Sequence, residues 1–203
     1  MIDIVYSKKE ALGFCCEPIP NGWTYTLITR LGDMLREIER RYGTRDRDWT
    51  LLGIEFGGSR PCLWYPRDCG YVSIKLSDNA RTDPQRAFFQ LAHETVHLLS
   101  PTGTRNGLVI EEGLATSYAH EMCQRLGVNL VEDLAEYVYA KFITQEFLNL
   151  HPDGIRQLRT RKPSFCDFSA ILIHDTFPDV SEKLAADLCE PFGAVEARLN
   201  PGA

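Results

Sequence analysis

His93-Glu94-Thr95-Val96-His97, followed fourteen positions on by Glu111-Glu112-Gly113-Leu114-Ala115, is the stretch whose reading decides what this chain is. Residues four apart share one face of an α-helix, so His93 and His97 can reach the same ion. Glu94 stands on the flank of that face, where its carboxylate meets a water rather than the metal. The pattern H-E-x-x-H therefore carries a mechanism: two imidazole zinc ligands and a carboxylate general base. It implies a zinc hydrolase, and a peptidase first among them.

The flanking residues place the motif on a helix. Asp83 is a good N-cap, and Pro84 suits the first helical position, where its missing N–H costs nothing. Phe88, Leu91, Ala92, Thr95 and Leu99 then recur at helical spacing as a core-facing stripe, with both His to one side of it. Ser100-Pro101-Thr102-Gly103 ends the helix just beyond His97. A catalytic zinc site needs a third protein ligand and an open position for water. Glu112 is the best candidate, because it opens a second helix with small residues on one face: Gly113, Ala115, Thr116 and Ala119. Small side chains would let this helix come close to the first.

H-E-x-x-H followed by E-G-L-A-x-x-Y resembles the gluzincin branch of zinc peptidases, in particular its compact peptidase-MA-type domains. The resemblance spans positions 83 to about 120, roughly a fifth of the chain. It implies that the Glu immediately before the Gly, Glu112, is the third zinc ligand. Glu111 stands where the larger aminopeptidase-like relatives usually carry Asn, and is the weaker candidate. The metzincin pattern H-E-x-x-H-x-x-G-x-x-H does not fit, since position 100 is Ser and position 103 is Gly, and an inverted H-x-x-E-H is absent.

Composition bounds the rest. The chain has 203 residues, 44% hydrophobic and 25% charged, as in an ordinary globular protein. A net charge of −6 argues against nucleic acid as the main partner. The basic cluster Arg156, Arg159, Arg161 and Lys162 reads as a solvated helix face. No signal peptide is legible at the N-terminus, and no stretch approaches the length of a membrane span. Seven Cys without any C-x-x-C read as reduced thiols in a cytoplasmic protein, several of them buried.

Along the chain, residues 2–6 suggest a short strand and residues 23–42 an amphipathic helix, with Leu27, Leu31, Met34, Leu35, Ile38 and Tyr42 on its apolar face. Three candidate strands follow at 50–56, 61–65 and 71–76, separated by Gly- and Pro-containing turns. Asn129 with Glu132 has the residues of a capping arrangement, opening a helix to about Leu150. Asp179 and Glu182 suggest another helix, running to Cys189. The expected fold is α+β and zincin-like: a small mixed or antiparallel sheet packed on the H-E-x-x-H helix, with a mostly helical C-terminal lobe. It forms a single domain over 1–203, with sheet and active-site helices in 1–126 and the helical lobe in 127–203. In the family an edge strand above the helix pairs with an extended substrate, and the strand at 71–76 is the first choice for that role, an interior position being the alternative.

The chemistry implied is hydrolysis of a peptide or protein substrate with Zn2+ as the cofactor: His93, His97 and Glu112 hold the ion, and Glu94 moves the proton. The developing oxyanion needs a further donor, which in gluzincins is a Tyr or His from beyond the third ligand. Tyr137, Tyr139, His151 and His174 are candidates. Tyr118 matches the resemblance's Tyr but points away from Glu112 and reads as packing, while His120 reads as a surface residue. Glu111, Asp167 and Asp175 could orient the two His. Two other readings stay open: a catalytically restricted or inactive regulatory module of the same fold, and a zinc hydrolase of a non-peptide amide.

Overall fold

Asp83 accepts hydrogen bonds from the backbone N–H of Gln85 and Arg86, both at 3.1 Å, and starts the helix that carries the motif. In the computed structural model, which describes residues 18–19, 22–23, 26–67, 70–103, 107–128 and 134–200, that helix is α2, Pro84–His97. Before it come β1 (Pro18–Ile19), β2 (Gly22–Trp23), α1 (Leu27–Tyr42), β3 (Thr50–Phe56), β4 (Cys62–Trp64) and β5 (Tyr71–Leu76). After it come α3 (Val109–Arg125), α4 (Ala135–Leu150), α5 (Gly154–Arg161), α6 (Ala170–Thr176), α7 (Glu182–Leu188) and α8 (Phe192–Leu199). The described residues thus form a mixed α+β fold, mostly helical, with eight helices and one three-stranded mixed sheet beside the short β1–β2 pair. None of these helices is long and apolar enough to cross a membrane.

The sheet order is β3-β5-β4, with β5 parallel to β3 and antiparallel to β4. This corrects the expectation that residues 71–76 form the substrate-facing edge: β5 is the central strand. Val72, Ile74 and Leu76 are buried on one face as the alternation requires, but Ser73 on the other face is buried too. Both edges of β5 are occupied by ladder bonds, which leaves β4 as the edge strand next to α2. Ser77, just past β5, ties sheet to helix: its backbone N–H and hydroxyl both donate to Gln90 Oε1, at 3.0 and 2.9 Å.

Helix α2 is sandwiched. Phe88, Leu91, Ala92 and Val96 are fully buried, each of the larger side chains contributing about 1.5–3 kcal/mol by leaving water. On one flank lies α1, whose apolar stripe Leu31, Met34, Ile38 and Tyr42 is buried as its spacing predicts. The helix starts at Leu27 rather than residue 23 because Thr26 forms a capping box with Thr29. On the other flank lies α3, whose first three turns are buried on most sides because both α2 and α4 pack against it.

The helix expected from Asn129 begins at Ala135, after an extended Leu134; residues 129–133 lie outside the described residues. So does the strand expected at 2–6, along with Cys15, Cys16 and Cys69. The helix expected from Asp179 begins at Glu182, capped by the Ser181 hydroxyl. Helices α6 and α8 are additional to the elements that the sequence pattern predicts. Cys123 is buried as an apolar residue, its thiol pushed up to about 12 by that burial.

The basic cluster at 156–162 is not solvated throughout. Arg156, Arg161 and Lys162 are exposed, but Arg159 is buried. Its guanidinium donates to the carbonyls of Tyr42, Gly43, Thr44, Leu99 and Pro163 at 2.9–3.1 Å. One side chain thereby satisfies the open carbonyls after α1 and just beyond α2.

Candidate metal centre

Helix α2 turns His93 and His97 to the same side, one turn apart, with their Nε2 atoms 3.3 Å from each other. The third group comes from the first turn of α3. Glu112 Oε2 lies 3.3 Å from His93 Nε2 and 3.7 Å from His97 Nε2. Three donor atoms of these residues fall within 4.8 Å of one another, a grouping able to hold a metal ion. Tetrahedral ligands bound at about 2.0–2.1 Å sit roughly 3.3–3.4 Å apart. The separations here match that spacing, and two nitrogens with one carboxylate oxygen are a donor set that zinc accepts.

The neighbouring carboxylate has a different task. Glu111 Oε1 lies 2.8 Å from His97 Nδ1, the nitrogen on the far side of the ring from Glu112. A proton on Nδ1 donated to Glu111 leaves the Nε2 lone pair free for an ion. Of the three residues expected to orient the His, only Glu111 does so; Asp167 and Asp175 are exposed and line no part of the cleft.

Two glycines make room for this arrangement. A side chain at Gly107 would begin 2.8 Å from Glu112 Oε1, inside the carboxylate's contact distance. At Gly113 a Cβ would meet the Ala140 carbonyl and Thr144 Oγ1 at 2.2 Å, so Gly113 lets α4, not α2, come close to α3. The expected use of Gly113 against the motif helix is corrected accordingly. The start of α3 is further pinned by the C-terminal segment: Val109 N–H donates to the Glu190 carbonyl and Phe192 N–H to the Gly107 carbonyl.

In the metal-free protein these groups perturb one another strongly. Burial alone would lower the His97 imidazole, but the carboxylates of Glu112, Glu111 and Glu94 outweigh it and carry it up to about 10. Glu112 feels burial in the opposite sense and is still held below the usual carboxylate range by the His97 and His93 rings. Glu94, 4% exposed, has its carboxyl pushed up, chiefly by burial, against the pull of both imidazoles.

A cleft opens over the three donor atoms in two lobes, of about 290 and 500 Å³, which share His93, Glu94, Tyr137, Arg60 and Pro61. The β4 side supplies one wall of the smaller lobe through Cys62 and Leu63. Tyr137 leans on the site with its ring 5.6 Å from that of His93 and 4.9 Å from Phe192. Burial, with Glu112 and Glu94 nearby, pushes its hydroxyl up, so the phenol stays protonated as a donor. Arg60 and Glu196, 2.7 Å apart, bridge the cleft mouth from the sheet side to α8.

Tyr137 is the one proposed oxyanion donor that the fold brings to the cleft. Tyr139 lies under Arg198, whose guanidinium is 5.5 Å from its ring. His151 stacks on Phe177 at 4.3 Å with Asp179 3.2 Å from its Nε2, and His174 Nδ1 lies 3.4 Å from the Val180 carbonyl. None of the three lines either lobe. Tyr118 is buried packing, as expected, and His120 is half-buried against the Phe89 ring. A larger cavity of about 1130 Å³ lies on the opposite flank of α3, but Arg41 and Arg125 in its wall are paired with Glu37 and Glu121. Sequence reasoning missed Arg60, Phe192 and Glu196, which reach the cleft through long-range contacts with no motif of their own. No family model, no curated protein and no solved structure matches this chain, which leaves the convergence of His93, His97 and Glu112 as the ground for a functional reading.

Proposed function

We propose that the chain is a zinc-dependent peptidase of gluzincin-like type, with His93, His97 and Glu112 as the ligands of the ion. The observation that carries this reading is the convergence of those three donors beside a buried carboxylate, Glu94, in an open cleft. Zinc bound there would polarise the scissile carbonyl and acidify the attacking water. Glu94 takes the proton of that water and delivers it to the leaving amine; a carboxyl raised by burial is suited to both acts. The Tyr137 hydroxyl donates to the oxyanion as it develops. As an edge strand of the described sheet, β4 is placed to offer backbone hydrogen bonds to an extended peptide lying along the cleft. Glu111 holds His97 in the ligand tautomer.

The presence of Glu94 favours catalysis over a structural role, because a site that only holds a metal has no use for a carboxylate beside the open position. A cytoplasmic setting suits the free thiols of Cys123 and Cys189. The test is zinc content together with cleavage of an unfolded protein such as casein. About one zinc per chain is expected, with Glu94→Gln keeping the metal and losing hydrolysis. A protein that stays metal-free after reconstitution removes the reading.

A further inference from the structure

The larger lobe of the cleft has an apolar outlet. Its wall includes Phe89, Pro61 and Leu134, and Leu134, immediately before α4, is 54% exposed. One turn along α4, Val138 is 47% exposed, and a further turn on Phe142 is 66% exposed. Beyond Phe142 the outward face turns polar, with Gln145, Glu146 and Asn149 exposed and Leu150 standing singly at the end. A face turned only to water has no use for Leu, Val and Phe at four-residue spacing in one half and polar residues in the other. The apolar half is the one that adjoins the cleft. Leu134 to Phe142 covers about 12 Å along the helix, the length of about four residues of extended chain.

We propose that Leu134, Val138 and Phe142 form a docking strip for an apolar segment of an extended polypeptide whose neighbouring residues occupy the cleft at Glu94. The proposal deepens the peptidase reading and rests on it: the substrate class is unfolded or extended protein with large apolar side chains flanking the cut. What selects this occupant is continuity, since Leu134 belongs both to the lobe beside Glu94 and to the strip. A chain leaving the lobe would find its next apolar contacts at Val138 and Phe142.

The test is binding, read apart from turnover. A fluorescein-labelled dodecapeptide with Leu or Phe at every second position is titrated into the Glu94→Gln protein, with and without zinc, and followed by anisotropy. The same peptide with Ser at those positions serves as the comparison. Adding Val138→Glu and Phe142→Glu should weaken the apolar peptide about tenfold, with an unchanged thermal melt and no effect from Gln145→Glu. Equal binding to the double variant, or equal binding of the Ser peptide, overturns the strip. Light scattering covers the remaining occupant: a dimer that the double variant dissolves and the peptide does not compete with assigns the strip to a second copy and overturns the proposal. Cleavage of the same peptide by the zinc-loaded parent is scored separately. Strip-dependent binding without any cleavage removes the peptidase reading and leaves a peptide-binding surface, whereas cleavage without strip dependence does the reverse.

Discussion

His97 is held between two adjacent carboxylates, Glu111 2.8 Å from its Nδ1 and Glu112 3.7 Å from its Nε2. Consecutive residues of α3 thus face opposite edges of one ring, the first placed to set its tautomer and the second, in the proposed site, to share its ion. Glu111→Gln keeps the size and removes the charge, so zinc affinity should fall by about 10–100-fold while the site persists. Glu112→Ala should abolish stoichiometric binding. Competition with a chromogenic chelator separates the two, and equal losses would return the ligand role to both residues.

The same pair sets a pH dependence. In the metal-free protein His97 has its pKa at about 10, above the ordinary 6.5. Its stabilising contribution is therefore fully present below pH 6.5 and is lost as pH rises through 10. A metal needs the deprotonated ring, so zinc must displace that proton, and apparent affinity should climb with pH between these values by up to about tenfold per unit. Calorimetry in buffers of differing ionisation enthalpy should show proton release on zinc binding at neutral pH. Affinity that is flat from pH 6.5 to 9 would contradict the protonated His97.

Tyr137→Phe removes the hydroxyl and keeps the ring against His93 and Phe192. If that hydroxyl serves the oxyanion, kcat should fall by about 10²–10³-fold with KM and zinc content little changed. Tyr139→Phe should leave both constants as they are, because Tyr139 packs beside Arg198 and lines no part of the cleft. A Tyr137→Phe enzyme at full rate would leave the ion as sole stabiliser of the oxyanion.

Much of the site is legible in the residues themselves, and the limits have physical causes. Asp83-Pro84 and the stripe from Phe88 to Val96 mark α2 because caps and 3.6-residue periodicity are local signals. Glu112 is singled out by the small residues that follow it and by the resemblance to gluzincins, and the fold groups it with His93 and His97. The different placements of Glu111 and Glu112 follow in the sequence only from the resemblance, since neighbouring carboxylates differ by about 100° around a helix whose rotation the sequence does not specify. The central place of β5 is hidden for a similar reason: alternation tells which face of a strand is apolar, not what lies along its edges. Helices α6 and α8, seven and eight residues long, are too short to show a clear period. What α8 contributes, Phe192 and Glu196 at the cleft, comes entirely from chain folded back over a long sequence distance.

Arg159 shows how charge pattern misleads and what depends on it. In the sequence it is one of four basic residues on a solvated helix. In the fold it is 6% exposed and joins the end of α1 to the end of α2, two residues beyond His97, the proposed ligand, through the Leu99 carbonyl. Burial lowers its guanidinium to about 10, which leaves it charged at neutral pH and well able to donate. Arg159→Leu takes the guanidinium donor from five carbonyls, of which Leu99 keeps the Asp46 N–H while the buried Tyr42 carbonyl loses the Arg159 bond, and should cost about 2–4 kcal/mol. In a chain of this size that is a drop of about 5–15 °C in Tm. Arg156→Leu, on the exposed side of α5, should move Tm far less. Because the lost anchor lies next to His97, the Arg159 variant should also bind zinc more weakly at temperatures well below its melt. A variant that melts early yet binds zinc normally would show that α2 holds its own C-terminal turn in place.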